Sequence, residues 1–336
     1  MIDPRARARA TAIAAAVIGL VVATAVIGYF NVGAVLAAMR PIGVAGFLAV
    51  IAAQLCLFVP LGLAWWSVAP GEPAKRIPLF MWARLLREAA YDVLPFSQLG
   101  GLVIAARAAV LGGTSTAVAF GSSLVDTTVE IIAQLIYTLV GVALLAQRLG
   151  FAGTGGNRLL YSVAGGLVIA AALVGVLVAV QRRGLNLMER LFHRLAPAAG
   201  HHATAVSKVV EAAYGRPTRL WTGLGVHVFA WFGAAAGTWL ILLLIGRPLP
   251  FASVAAIESL MFAIRNAAFV APSGLGVQEG AYALLGPLFG LPVEAALALS
   301  LLKRARDIAV GVPMLLSWQL MESRRRLRDS RSGVED

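Results

Sequence analysis

Charge is what this sequence has least of: Asp, Glu, Lys and Arg together make up 13% of its 336 residues. A water-soluble globule of that length needs more polar surface than these residues supply, which argues against a soluble enzyme and makes lipid the expected solvent for much of the chain. Cysteine is almost absent. The single one, Cys56, permits neither an intrachain disulfide nor a cysteine metal cage, and in its apolar run it is expected to be buried filler. The four histidines, His193, His201, His202 and His227, show no metal-ligand spacing. Gly-x-Ser-x-Gly elbows and Walker loops are missing as well, so no metal, no cofactor and no ATP-driven step is expected.

What the chain has is apolar length. Hydrophobic residues make up 60% of it, and the mean hydropathy is +0.83. Six long apolar stretches, at about 11–30, 42–66, 116–146, 159–180, 220–245 and 293–320, read as spans of the ~20 residues that cross a bilayer. Alternating ten-residue segments of a barrel are absent, so helices must satisfy the backbone in hydrocarbon. The expected fold is all-α: a polytopic integral membrane protein of about six transmembrane helices. It forms one membrane domain over 1–336. This divides into N-terminal spans (10–90), a first hairpin with a long span (91–150), a cytoplasmic amphipathic connection (185–219), a second hairpin with the last span (257–322), and a basic cytoplasmic tail (323–336). Within the connection an amphipathic surface helix is expected around 185–195.

The net charge of +12 does not point to nucleic acid, because the basic residues flank apolar segments without an aromatic-interleaved patch. They read as topology determinants. Counting Lys and Arg in alternate loops puts nineteen on one side, among them Lys75, Arg76, Arg84 and Arg87, and four on the other: Arg40, Arg148, Arg158 and Arg247. The remaining five fall at membrane depth. Both termini are therefore expected in the cytoplasm.

Two apolar regions, 91–113 and 263–290, are broken by Pro95 and Pro272, each followed by glycines. Proline lacks the amide donor a helix needs, and glycine permits the tight reversal that follows. Both regions are expected to be re-entrant hairpins, shaped by Pro95, Gln98, Gly100 and Gly101 in the first and by Pro272, Ser273, Gly274 and Gly276 in the second. Pro95 precedes Glu130 by 35 residues and Pro272 precedes Asp307 by 35, which suggests an inverted repeat.

Charges at apparent depth cost at least about 2.5–3.5 kcal/mol each and need partners or water. Arg107, Asp126, Glu130, Glu258, Arg265, Glu279, Lys303, Arg304, Arg306 and Asp307 form this set. Asp126 and Glu130 share a helical face, as do Lys303 and Asp307. One reading is a buried polar site for a charged or zwitterionic lipid head, or for protons coupled to its movement. The other is fixed ion pairs holding helices in register. On the first, Arg107, Asp126, Glu130, Arg265, Glu279, Lys303, Arg304 and Asp307 are the candidate substrate-binding and translocation residues.

At these residues the chain resembles the lysylphosphatidylglycerol synthase transmembrane, or flippase-like, family. "APSGLGVQEG" is similar to its Pro-x-Gly-Leu-Gly-x-x-Glu signature, with "LLKRARDIAVGVP" following at the expected distance. "VLPFSQLGG" and "LVDTTVEIIAQLIYTLVG" resemble more specifically the hopanoid-biosynthesis-associated branch. The resemblance spans roughly 90–322. It implies a bacterial inner-membrane flippase or transporter moving hopanoids or related lipids, with membrane lipids, hopanoid or phospholipid, as partners, alongside lipid-biosynthesis enzymes. Many wider-family members carry an acid after the first hairpin glycine, where this chain has Leu102 after Gly100 and Gly101. The bifunctional synthases of the family also carry a soluble aminoacyl-transfer domain, whereas this chain runs about 16 residues past its last apolar stretch. Activity is therefore expected to be non-enzymatic. A scaffold for lipid-modifying enzymes and an intramembrane lipid-transferring enzyme are the alternatives.

Overall fold

The computed structural model describes residues 39–93, 97–149, 197–268 and 274–332, with isolated positions at 33, 37, 165, 175 and 179. Among these every regular element is helical. A 3-10 turn, Arg40–Ile42, leads into α1 (Gly43–Ser67), and a second, Ala74–Arg76, into α2 (Ile77–Val93). Then follow α3 (Ser97–Leu111), α4 (Thr116–Leu149), α5 (Pro197–Tyr214), α6 (Pro217–Leu244), α7 (Phe251–Ala267), α8 (Val277–Leu288) and α9 (Val293–Ser332). Three helical segments, Arg40–Ser67, Thr116–Arg148 and Pro217–Leu244, are long and apolar enough to cross a membrane. They match three of the expected spans. The expected spans at 11–30 and 159–180, the surface helix at 185–195, Pro95, and Pro272 with Ser273 lie outside the described residues, as does the side chain of Gln98.

Polarity is distributed the wrong way round for water. Arg84, Asp126, Glu258 and Lys303 are buried, while Val44, Leu48, Leu55 and Val59 stand exposed along one side of α1. On α9 the exposed residues Ile308, Val312, Leu316 and Leu320 recur every fourth position, which makes a single apolar ridge. α9 carries Lys303, Arg304, Arg306 and Asp307 mid-helix, yet this ridge fits it to hydrocarbon on its outer face. Cys56 is exposed and so corrects the expectation of buried filler. In a helix apolar all round, composition alone cannot tell a lipid-facing residue from a core one.

The second half of the helical array repeats the first. α2 and α7 each have 17 residues and lie 174 positions apart, and the starts of α1 and α6 are displaced by the same interval. The starts of α4 and α9 are 177 apart. Packing repeats with it: α2 folds onto α3 and also packs on α9, while α7 folds onto α8 and packs on α4. The first arm of each pair thus lies against the long helix that follows the other pair. α1 fits closely against α2, since a Cβ at Gly62 would lie 2.5 Å from Met81 Cα. The paired arms begin at Ile77 and Phe251, well before the expected 91 and 263; in α2, Arg84, Arg87 and Glu88 interrupt the apolar run without interrupting the helix.

Candidate functional site

α2 presents Arg84, Glu88 and Asp92 at four-residue spacing, hence along one face. That face meets Asp126 and Glu130 of α4. Arg84 Nη1 donates to Asp126 Oδ2 at 3.2 Å and to Glu130 Oε2 at 3.0 Å, and its Nη2 donates to Glu130 Oε1. Glu88 Oε1 is 2.9 Å from Arg84 Nη2, and Arg87 Nη2 donates to Glu130 Oε2 at 2.8 Å. From α6, His227 Nε2 lies 2.9 Å from Asp126 Oδ1. Arg84, Asp126 and His227 are each only 1% exposed, so these charges have no bulk solvent and depend on one another. Arg84 and Arg87 are therefore not loop charges. Removing them from the topology count leaves seventeen basic residues against four, and its sense is unchanged.

The repeat reappears here with polarity reversed. Glu258 of α7 stands 174 positions after Arg84, and Lys303 of α9 stands 177 after Asp126. They too form a buried pair, Nζ to Oε2 at 2.6 Å. Lys303 Nζ also donates to Tyr282 Oη at 2.6 Å and Thr238 Oγ1 at 3.2 Å, and Tyr282 donates to Glu258. One ammonium thereby ties α6, α7, α8 and α9 together.

A third cluster closes the turn before α8. Glu279 Oε2 accepts from the Gly276 amide at 2.9 Å, a capping interaction at the helix N-terminus, and Glu279 pairs with Arg304, whose Nη2 donates to the Gly274 carbonyl at 3.0 Å. Gly276 and Gly274 adopt φ of +76° and +60°, which glycine tolerates. A Cβ at Gly274 would also come within 2.8 Å of Arg265 Nε. Glu279→Ala removes the cap and leaves Arg304 short of its carboxylate. It should cost about 1–3 kcal/mol, read as a fall in thermal unfolding temperature of the detergent-purified protein.

The halves are joined by Arg265 of α7, which donates to Asp92 Oδ1 of α2 at 2.8 Å and stacks over the Tyr91 ring at 4.6 Å. Arg306 pairs with its neighbour Asp307 at 2.6 Å. Between these groups lies a cavity of about 100 Å³. Its charged wall consists of Arg84, Glu88, Glu130, Asp92, Arg265, Lys303, Arg306 and Asp307, joined by His227. Apolar side chains, including Leu57, Phe58, Leu61, Trp231 and Phe262, line the cavity as well, and Lys303 Nζ lies 5.4 Å from the Phe262 ring centroid.

Of the residues expected from sequence, Glu130, Arg265, Lys303 and Asp307 line this cavity, and Asp126 is bonded to it through Arg84 and His227. Arg304, Glu279, Gly274 and Gly276 sit at the α8 turn beside it. Arg107 lies elsewhere: its side chain is 40% exposed and pairs with Glu322 of α9 at 3.1 Å. Gly100 has open space at its Cβ position, whereas Gly101 lets α3 approach the Arg87 carbonyl. Sequence reasoning missed Arg84, Glu88, Asp92 and His227 as site residues. The four-residue spacing on α2 and the 174-residue repeat were the available signals.

Apolar helices around a buried, ion-paired cavity define a polytopic helical membrane protein. The family described as lysylphosphatidylglycerol synthase TM region matches residues 13–314, and the chain belongs to it. Comparison with curated proteins and with solved structures gave no match in either set.

Proposed function

We propose that this protein is a non-enzymatic lipid flippase of a bacterial inner membrane, moving hopanoids or related lipids between leaflets through the cavity between its two helical repeats. The observation that carries this reading is that one cavity is lined by both charged and apolar side chains. An amphiphile needs both, one for its head and one for its tail. Membership in a family named for lipid synthesis supports the substrate class.

On this reading the two helix pairs are re-entrant. α3 and α8, at 15 and 12 residues, reach roughly 22 and 18 Å, short of the ~30 Å of hydrocarbon. The turn at 274–276 before α8 is backbone of a kind tolerated at depth where protein or a wet cavity surrounds it. With the pairs not crossing, three spans separate them, the repeats are inverted, and both termini lie in the cytoplasm. A scaffold for lipid-modifying enzymes would need no such cavity.

Ala234 lines the cavity, so Ala234→Trp should fill it while leaving the ion pairs in place. Lipid analysis of the purified protein should show a lipid class enriched over the bulk extract, and that enrichment lost in Ala234→Trp. Equal lipid profiles for the two proteins would count against transport through this cavity.

A further inference from the structure

Charge does not balance around the cavity. Among the described residues, its walls and the side chains ion-paired to them carry five cations, Arg84, Arg87, Arg265, Lys303 and Arg306. Against these stand six carboxylates: Glu88, Asp92, Asp126, Glu130, Glu258 and Asp307. With all six carboxyls ionised, the cluster is one positive charge short in a medium where uncompensated charge is costly. One more group can supply it. His227 lines the cavity, is 1% exposed, and uses Nε2 on Asp126, while its Nδ1 is buried without a partner.

We propose that His227 is the proton seat of this cavity, and that a proton there and a net positive charge on the head of a bound amphiphile exclude one another. This rests on reading the cavity as a lipid-head site, and it adds the sign of the head and the energy source. With the cavity free of a cation, a proton from solvent adds to Nδ1, and the imidazolium neutralises the excess carboxylate through Asp126. When a cationic head enters, it supplies the same charge, and the proton leaves Nδ1 for solvent. One proton goes out for each positive charge taken in, with no covalent bond made or broken. A proton gradient then drives head-group movement in the opposite direction.

The surroundings of His227 fit this role. α4 presents Asp126 and Glu130 to it, and Arg84 and Arg87 of α2 are already held by those carboxylates. From α7 and α9, Glu258 and Lys303 are satisfied by each other and Arg265 by Asp92. α1 brings no acid or base apart from the exposed Cys56, and Lys208 and Glu211 of α5 are exposed. On α6 itself, Arg219 is turned to the Ser67 carbonyl and the Trp66 ring.

The test uses the full chain in nanodiscs with two probes of equal tail length, dodecyltrimethylammonium, whose charge is fixed, and zwitterionic dodecylphosphocholine. Between pH 8 and 5, the interval in which imidazoles change charge, affinity for the quaternary probe should fall by up to about tenfold per pH unit. Its binding should release close to one proton, measured calorimetrically in buffers of different ionisation enthalpy. The zwitterion should show neither effect. His227→Gln and His227→Asn should abolish the pH dependence, and should either variant fold poorly, the contrast between probes in the native protein still decides. Affinity of the native protein for the quaternary probe that is flat with pH overturns the proposal. Proton release that persists in both variants overturns it too, by placing the proton on a carboxyl. Failure of both probes to bind at any pH overturns the lipid-head reading beneath it as well.

Discussion

Lys303→Met should destabilise the protein by about 3–5 kcal/mol, seen as a large drop in thermal unfolding temperature in detergent. Glu258, its partner, is 0% exposed, and loss of the ammonium leaves this carboxylate with Tyr282 as its remaining hydrogen-bond partner. Thr238 and Tyr282 lose a donor in the same step. The cost therefore comes from stranding a buried charge rather than from the intrinsic worth of the pair. The double variant Lys303→Met with Glu258→Gln should recover most of the stability, because a neutral amide still meets the Tyr282 hydroxyl and no charge is left over. A single variant as stable as the native protein would show that Glu258 carries no charge there.

Arg84→Leu should be at least as damaging, again about 3–5 kcal/mol or more, and should abolish lipid movement. Arg84 serves Glu88, Asp126 and Glu130 together, and of the other cations only Arg87 reaches two of them. Adding Glu130→Gln removes one stranded carboxylate and should restore part of the loss. Thermal unfolding of the three proteins checks the order: native, then double, then single. A single variant equal to the native protein would mean that the α2 and α4 face is not held by these charges.

Both predictions act on corresponding ion pairs of the two repeats, Arg84–Asp126 and Glu258–Lys303, and neither pair could be read from apolar length. Spans at 42–66, 116–146 and 220–245 were legible because α1, α4 and α6 are predominantly apolar over more than the length the bilayer requires. The start of α9 was legible too, but not its continuation to Ser332. Beyond Leu320 the sequence turns basic, which marks the end of hydrocarbon, yet no proline or glycine ends the helix before Gly333. α2 was misread for a related reason. Arg84 and Arg87 follow Lys75 and Arg76 closely, so they resemble a loop cluster, while their carboxylate partners lie some forty residues away. Pairing over such distances leaves no local pattern. His227 carried even less signal, since one histidine in an apolar run is distinguished only by the aspartate that folding brings to it.

Passage of lipid across the bilayer through the cavity between the repeats can be followed by leaflet exchange in proteoliposomes made from the lipids enriched with the purified protein. A fluorescent analogue of the enriched class, quenched from outside by a membrane-impermeant reagent, reports the inner-leaflet fraction over time. The native protein should carry quenching well past the half that protein-free vesicles allow, while Ala234→Trp should remain at the protein-free level. Native protein indistinguishable from empty vesicles, or Ala234→Trp as fast as native, would show that lipid does not cross through this cavity.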